Sequence, residues 1–395
     1  KQYYTNKQNQ IKMLKILNLL VDDKFIDALI EVFEATKGKN THDYIIINDK
    51  GKKNFQYITK TEYIKQVDNE ELLTFINNKG YNLVILHSLS SIPWFKINQI
   101  DKRIKVLWKA WGFDLYRTPN EIQPFIKIRR LHPITKKYWR KHYKKRIYTN
   151  FKVWIYDQIH RKQIKQAINR IDFFSGCLPS EYQLMKKNTF FRAEHVELPY
   201  ISLDSGYTKE NSITFPKLGC NILIGNAAAI VNNHLDIFNS FSKFQIKDRQ
   251  IIVPLSYGGE QFYIKDIIRY GEKKFGENFC PIQNFLSLKE YNTLLSTCSH
   301  AIFGYEQQAA LGNITELLWT GVKLFLPKSS INYKYFKDNG YKVFTIEDDL
   351  TENHLSSPLT MSEKKQNRDA FLRTQSVDIN LQKIQNIYET VEKTN

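Results

Sequence analysis

Cysteine is scarce: Cys177, Cys220, Cys280 and Cys298 are the only four in 395 residues, and no CxxC or CxxH spacing gathers thiolates for a zinc ion. They read as buried free thiols in a reducing compartment, which excludes a disulfide scaffold. Long apolar runs are missing too. No stretch approaches the roughly 18 uncharged apolar residues of a membrane span, and the start KQYYTNKQNQ is polar. Neither a transmembrane helix nor a signal peptide is expected, and the location reads as cytoplasmic. Met13 opens MLKILNLL like a natural start, so residues 1–12 are set apart as an upstream segment. There is no GxxxxGKS/T and no GxGxxG after the first strand, which speaks against P-loop kinases and dehydrogenases.

Acid is in deficit: 40 Asp and Glu face 58 Lys and Arg, a net charge of +18. The excess is local, because residues 127–170 hold 15 Lys and Arg against the single acid Asp157. Within it, KKYWRKHYKKRIY interleaves Tyr138, Trp139, Tyr143 and Tyr148 with Lys136, Lys137, Arg140, Lys141, Lys144, Lys145 and Arg146. Such a pattern suits an anionic membrane face, where Trp and Tyr settle among headgroups. It also suits nucleic acid, or a merely solvated basic helix.

Apolar residues make up 42% and charged residues 25%, enough for two buried cores. From Met13 the runs LKILNLL, DYIIIN, YNLVILH and RIKVLWKAW read as strands, with helical spacing over 24–36 and 62–79. After the basic segment come a helix over 153–171, a strand at FFSG and a proline-started helix over 179–187. Residues 204–216 are polar and lack an apolar period, so an interdomain linker is placed there. NILIGN, RQIIVPLS, HAIFGY, VKLFLP and YKVFTI then read as strands, with helices over 264–275, 288–297 and 307–319. From Ser362 the chain reads as helical to its end and is expected to pack back across the first domain. The pattern predicts two doubly wound α/β domains, 13–203 and 217–350, facing a cleft, with a helical segment 351–395.

Three strand-to-loop segments carry chemistry. In ILIGNAAAIVNNHLDIF, Gly225 follows a strand, small residues permit close backbone approach to a phosphate, and Asn232 is a credible N-cap for a helix near Asn233. In VPLSYGGEQFY, Ser256 and a Gly258-Gly259 turn follow the strand, and Tyr257 offers a ring for a base or sugar. In HAIFGYEQQAALGNITELLW, the strand delivers Gly304 and a helix beginning around 306–308 could present its N–H groups to a diphosphate. Glu306 would be repelled there and suits a sugar or ribose hydroxyl, while Glu316 reads as solvated or sugar-binding. In the first domain, RIKVLWKAWGFDLY places Trp108, Trp111, Gly112, Asp114 and Tyr116 where a strand leaves the sheet. Asp114 could deprotonate an acceptor hydroxyl or serve as an N-cap, and His87 is a reserve base or a structural histidine. Structural roles are equally open to His234 and Glu260.

In order and spacing, WKAWGFDLYR, ILIGNAAAIVNNHLDIF, IIVPLSYGG and FGYEQQAALGNITELLWTGVKLFLP resemble the bacterial dTDP-4-acetamido-4,6-dideoxygalactose (Fuc4NAc) transferase family, a glycosyltransferase family 56-like group. The matching positions are Trp111, Gly112, Asp114, Leu115 and Tyr116; Gly225, Asn226, Asn232, Asn233 and His234; and Gln307, Gln308, Gly312 and Asn313. The resemblance implies a GT-B fold and transfer of the sugar from its dTDP carrier to a polyprenyl-diphosphate-linked or other cell-surface glycan. Ala227 and Ala228 depart from it, standing where a hydroxyl-bearing Ser is expected.

The expectation is a GT-B glycosyltransferase on the inner face of the cytoplasmic membrane. Gly225, Asn226, Ser256, Gln307 and Gln308 would bind the donor diphosphate; Tyr257, Glu306, Asn313 and Glu316 the nucleoside or sugar. Asp114 would act as base, with His87 in reserve. Trp111, Tyr116, Trp139, Arg140, Lys141, Lys144 and Lys145 would meet the acceptor or an anionic membrane surface. No DxD-like pair has a metal-binding context, Asp22-Asp23 and Asp348-Asp349 reading as loop acids, so no metal and no cofactor is expected. A nucleic-acid-binding protein built on the basic segment, although no nucleic acid is expected, and a nucleotide-sugar epimerase are the competing readings.

Overall fold

The computed structural model of the protein describes residues 13–48, 51, 54–116, 125–143, 147–199, 215–245 and 248–394. The upstream segment 1–12, nearly all of the linker 204–216, and Lys144 and Lys145 lie outside the described residues.

The chain forms two compact units. The first comprises Lys1–Ile126, Trp154–Thr208 and Val377–Asn395. Its strands are β1 (Lys15–Leu19), β2 (Thr41–Asn48), β3 (Ile64–Asp68), β4 (Leu83–Leu86), β5 (Lys105–Lys109), β6 (Phe173–Ser175) and β7 (Glu194–His195). All pair in parallel, in the order β3-β2-β1-β4-β5-β6-β7. Its helices are α1 (Ile26–Thr36), α2 (Leu72–Asn78), α3 (Trp94–Ile97) and α4 (Gly112–Tyr116). The central strands are mostly apolar because helices cover both faces of a parallel sheet, with Asn18 in β1 and Lys109 in β5 as buried polar exceptions.

The second unit comprises Lys127–Val153 and Lys209–Ser376. It begins with α5 (Pro133–Tyr143), and α6 (Ile147–Arg170) runs out of it into the first unit, where α7 (Pro179–Met185) follows. Its strands are β8 (Asn221–Ile224), β9 (Ile251–Pro254), β10 (Phe279–Ile282), β11 (Cys298–Ile302), β12 (Lys323–Leu326) and β13 (Phe344–Thr345), ordered β10-β9-β8-β11-β12-β13. The intervening helices are α8 (His234–Phe241), α9 (Gln261–Phe275), α10 (Leu288–Ser296), α11 (Leu311–Thr320), α12 (Ile331–Asp338) and α13 (Glu352–Ser356), with α14 (Met361–Gln375) closing the unit. Both sheets thus wind outward from a switch point beside their first strand, between β1 and β4 and between β8 and β11.

Several expectations are corrected. The helix expected over 62–79 is β3 followed by α2, because the alternating IKQVD supplies one half-covered edge strand before the helical period starts. β10 escaped the sequence pattern because FCPI carries a proline, tolerated here because the strand lies at the sheet edge. The C-terminal helices divide: α14 stays in the second unit, where Phe371 packs edge-on against Trp319 at 5.0 Å. Only α15 (Val377–Thr394) returns to the first, burying Ile384, Ile387 and Val391 and placing Tyr388 Oη 3.1 Å from His42 Nε2. The cysteines are free, but only Cys298 is buried and Cys220 is exposed.

The basic helix α5 packs in the second unit rather than with the first. Asp236 accepts the backbone N–H of Ile134 at 2.9 Å and of Thr135 at 2.7 Å, satisfying orphan donors of its first turn. The Tyr138 hydroxyl donates to Asp266 Oδ2 at 2.7 Å. At helical spacing Tyr138, Trp139 and His142 share a face, with His142 and Trp139 stacked on Phe262 at 5.5 and 6.3 Å. Lys136, Lys137, Arg140 and Lys141 are exposed. The aromatic and cationic side chains that alternate in sequence are therefore sorted, rings toward α9 and cations toward solvent. Among the described residues no helix is long and apolar enough to cross a membrane.

Candidate functional site

The loops after β8, β9 and β11 meet at the C-terminal edge of the second sheet. Gly225, directly after β8, has φ +69° and donates its N–H to Ile302 O at 3.0 Å. A Cβ there would stand 2.8 Å from His234 Nε2 and 2.9 Å from Asn232 Oδ1. Gly304, after β11, is more tightly held: its Cβ would lie 2.3 Å from Asn232 O. Gly259 leaves no more room, since its Cβ would lie 2.4 Å from Ala228 O. Ala228 itself is fully buried and donates its N–H to Tyr257 O at 2.8 Å. That packing explains the departure at Ala227 and Ala228: small apolar side chains allow the loops after β8 and β9 to close on one another.

Hydrogen bonds draw the side chains together. Asn226 donates through Nδ2 to the Tyr257 hydroxyl at 3.3 Å and accepts at Oδ1 from the Tyr305 hydroxyl. Tyr257 is half exposed, so its ring face remains available to a ligand. Asn232 is not the N-cap. It closes a short 3-10 turn and donates to Ala227 O at 2.7 Å, while Asn233, left-handed at φ +54°, precedes α8. Nor does a helix begin at 306–308: α11 starts at Leu311 after a left-handed Ala310, leaving Glu306, Gln307 and Gln308 in the loop at 8% exposure each. Ser256 lies half-buried beyond β9, and Asn313 and Glu316 are half-buried on α11.

Sequence reasoning did not single out the residues preceding α5. Asn233 Nδ2 donates to Gly304 O at 2.7 Å and to Arg130 O at 3.1 Å, while its Oδ1 accepts from His132 N at 2.8 Å. His132 Nε2 then lies 2.7 Å from Glu306 Oε1, and Arg130 Nε donates to Gln307 Oε1. Burial opposes the Glu306 charge, but hydrogen bonds from His132 and Ser329 and the cationic Arg129 hold its carboxyl below the ordinary value. The one available signal was IRRLHP, which reads only as more of the basic stretch.

In the first unit Asp114 is fully buried. It accepts from Ser88 Oγ at 2.9 Å, Trp108 Nε1 and Trp111 N at 3.2 Å, and Leu89 N at 3.4 Å. Burial pushes its carboxyl up to about 6 against the pull of those bonds. Ser88 is strained, at φ +134°. Its hydroxyl lies 2.6 Å from that of Ser90, which is exposed, so a hydrogen-bonded path links solvent to Asp114. His87 is also buried, with Nε2 3.0 Å from Asn18 Oδ1, and burial lowers its pKa to about 3. It is therefore neutral and enclosed. Trp111 stacks on Phe25 at 5.4 Å, whereas Tyr116 is internal, its hydroxyl donating to Glu181 at 3.0 Å. Among the described residues no three His, Cys, Asp or Glu side chains gather in metal-binding geometry. Asp22 accepts three backbone N–H groups, and Asp348 pairs with Lys328 at 2.8 Å.

Solved structures show the same fold at low identity. A glycosyltransferase from Rickettsia africae superposes with a TM-score of 0.62 at 14% identity, over 97% of this chain and 100% of its own. An alpha-glucosyltransferase solved with UDP and a 13-mer DNA containing an HMU base gives 0.57 at 11%, over 96% and 100%. Anabaena HepE solved with UDP-glucose gives 0.59 at 10%, over 95% and 100%. Residues 202–375 match the model of a family described as 4-alpha-L-fucosyltransferase glycosyl transferase group 56. The chain is a glycosyltransferase of the GT-B fold. Its second unit carries the group 56 pattern, the family that the four sequence segments resemble.

Proposed function

We propose that the chain moves a deoxyamino sugar of the Fuc4NAc kind from a dTDP-sugar to a lipid-linked or other cell-surface glycan, without a metal ion. The observation that carries this reading is the meeting of Gly225, Asn226, Tyr257 and Tyr305 beside the β8/β11 switch, within the segment matching group 56. Neighbours solved with UDP and with UDP-glucose support a nucleotide-sugar as donor class. The dTDP carrier and the deoxyamino sugar rest on the sequence resemblance.

In this reading the amides around Gly225, together with Asn226, Ser256, Gln307 and Gln308, hold the diphosphate, while the Tyr257 ring takes the base or sugar. Asn313 and Glu316 line the same donor end, and Glu306 fixes the loop through His132. The acceptor oxygen attacks the anomeric carbon, the bond from that carbon to the diphosphate breaks, and the fixed donors stabilise the departing charge. Asp114 receives the acceptor proton through the hydroxyls of Ser90 and Ser88, each passing on one proton as it takes up another. A carboxyl held at about 6 is ionised near neutrality, as a base must be. The exposed Arg140 and Lys141 meet an anionic membrane or acceptor, keeping the enzyme peripheral to the inner face of the cytoplasmic membrane.

Calorimetry with dTDP, UDP, GDP and CDP, with and without EDTA, tests this. Selective dTDP binding that survives EDTA is expected. Preference for UDP or GDP would retain the transferase and remove the donor, and no binding to any of them would overturn the reading.

A further inference from the structure

The donor loops carry amides and carboxamides but no cation of their own. GNAAA after β8, LSYGGE after β9 and FGYEQQAA after β11 contain no Lys or Arg. A leaving diphosphate gathers negative charge as the sugar departs, and neutral donors alone stabilise it poorly compared with charge-assisted hydrogen bonds. A fixed positive charge reaches the loop after β11 from far away in sequence, in residues 129–132.

That strap is built into the second unit. Asn233 bonds the carbonyls of Arg130 and Gly304 with one amide nitrogen and accepts His132 N with its oxygen, so the strap and the loop after β11 share one anchor. Asp236 caps the helix that follows. The Arg130 guanidinium is thereby set against Gln307, with Nε donating to Gln307 Oε1. Glu306, the acid expected to repel a diphosphate, is already satisfied by His132, Ser329 and Arg129. Its negative charge is spent on holding the strap.

We propose that Arg130 is the cation of the donor diphosphate subsite, lent by the strap to the Gln307 loop, with His132 and Glu306 as positioning residues. The inference rests on the nucleotide-sugar reading of the second unit and deepens it. It gives the strap a role in donor binding, distinct from the membrane-facing cations of α5. It also accounts for a phosphate loop that needs no hydroxyl at Ala227 or Ala228.

The test is calorimetry on the full chain with three probes: the nucleoside diphosphate that binds best among dTDP, UDP, GDP and CDP, its nucleoside, and inorganic pyrophosphate. Arg130→Gln should bind the diphosphate and pyrophosphate roughly ten- to hundredfold more weakly, as the loss of one or two charge-assisted hydrogen bonds implies, with nucleoside affinity within about twofold. Arg130→Lys should recover part of the loss, and Lys127→Gln, an exposed cation outside the strap, should stay within about threefold. Melting curves report on folding. Unchanged diphosphate affinity in a folded Arg130→Gln overturns the assignment, and so does an equal loss of nucleoside and diphosphate affinity, which would make Arg130 a scaffold residue. Failure of the wild-type chain to bind any diphosphate or pyrophosphate refutes the donor reading itself and removes the assignment with it.

Discussion

In the first unit the loops leaving β4 and β5 close on side chains; in the second, the loops leaving β8, β9 and β11 close on glycine. The strand order is shared, so the difference lies in the loops. Around Asp114 a carboxylate, two indoles and a strained serine fill the edge of the sheet and leave His87 and Asp114 with no exposed surface. A non-glycine residue at φ +134° costs on the order of 1–3 kcal/mol, which the Asp114 bonds help to offset. Around Gly225 and Gly304 backbone meets backbone, and Asn226, Glu306, Gln307 and Gln308 keep a sliver of exposure. The same winding thus yields a sealed polar network in one unit and an amide-lined edge in the other. A phosphate suits the second, where backbone N–H groups can approach it.

The glycines give the sharpest way to break this contrast. In Gly304→Ala the new Cβ would meet Asn232 O, a backbone atom that cannot swing away. We expect a loss of about 3 kcal/mol, at the upper end for overpacking, and diphosphate binding below detection. Gly312→Ala is the control: nothing stands within 4 Å of its Cβ, it lies in the first turn of α11, and it should be neutral or stabilise by about 0.5 kcal/mol. Urea melts of both variants with parallel titrations decide the matter. Equal effects would mean that close approach at Gly304 is not what shapes the loop.

Asp114→Asn tests the sealed side. Every group around the carboxylate donates, so an amide nitrogen placed there faces donors, at about 1–3 kcal/mol. Transfer should fall by roughly a hundredfold, within the range for losing a general base, with donor affinity nearly unchanged. Ser90→Ala should reproduce most of the kinetic loss without the instability. Equal loss of transfer and donor affinity in Asp114→Asn would leave the residue a purely structural role.

What the sequence made legible follows the same divide. Buried parallel strands announce themselves as apolar runs, so β1, β4, β5, β8, β9, β11 and β12 were readable, while the short or proline-bearing edges β3, β7 and β10 were not. Gly225, Asn226, Tyr257 and Gln307 could be picked out because glycine and amides after a strand have a local reason to be there. Arg130 and His132 could not, since their anchor is Asn233, about a hundred residues on. The membrane reading of Trp139 shows the limit of composition: a basic-aromatic string names two kinds of side chain but not which face each takes. His87 illustrates another. A histidine at a strand end looks like a base until burial shows it enclosed and its affinity for a proton lowered.

Acid should separate the units. Burial lowers His42 to about 4 and His87 to about 3 in the first, and His300 to about 4 and His234 to about 3 in the second. Each is neutral when folded and takes up a proton on unfolding below about 6.5. Their stabilisation is complete above that pH and fades as the pH falls toward the folded values. Asp114 runs the other way. Its folded carboxyl at about 6 holds a proton that the unfolded chain releases near the ordinary value of 3.8, so it destabilises the first unit increasingly from about pH 4 to 6. Acidifying from pH 7 to 5.5 therefore relieves part of that cost in the first unit only. At about 1.4 kcal/mol per histidine per pH unit below 6.5, each unit should lose about 2–3 kcal/mol, the first about 1 kcal/mol less. Hydrogen exchange at the two pH values should show the second unit opening first, and Asp114→Asn should erase the difference. The reverse order would mean that Asp114 stays ionised in the fold at pH 5.5.

The smallest effect tests where the basic helix belongs. Asp236 on α8 caps α5 by accepting from Ile134 and Thr135, and Tyr138 reaches Asp266 on α9. Asp236→Ala should cost about 1–2 kcal/mol, as for an N-cap, and Tyr138→Phe about 0.5–1.5 kcal/mol, as for one hydrogen bond. If α5 is part of the second unit, both losses should appear in the melting of that unit and in faster exchange along α5, with the first unit unaltered. The strap lies immediately before that cap, so Asp236→Ala should also loosen Arg130 and weaken diphosphate binding by about threefold, near 0.7 kcal/mol, whereas Tyr138→Phe, a turn further along, should not. A diphosphate affinity insensitive to both, in variants whose α5 exchanges faster, would show that strap and helix are held independently.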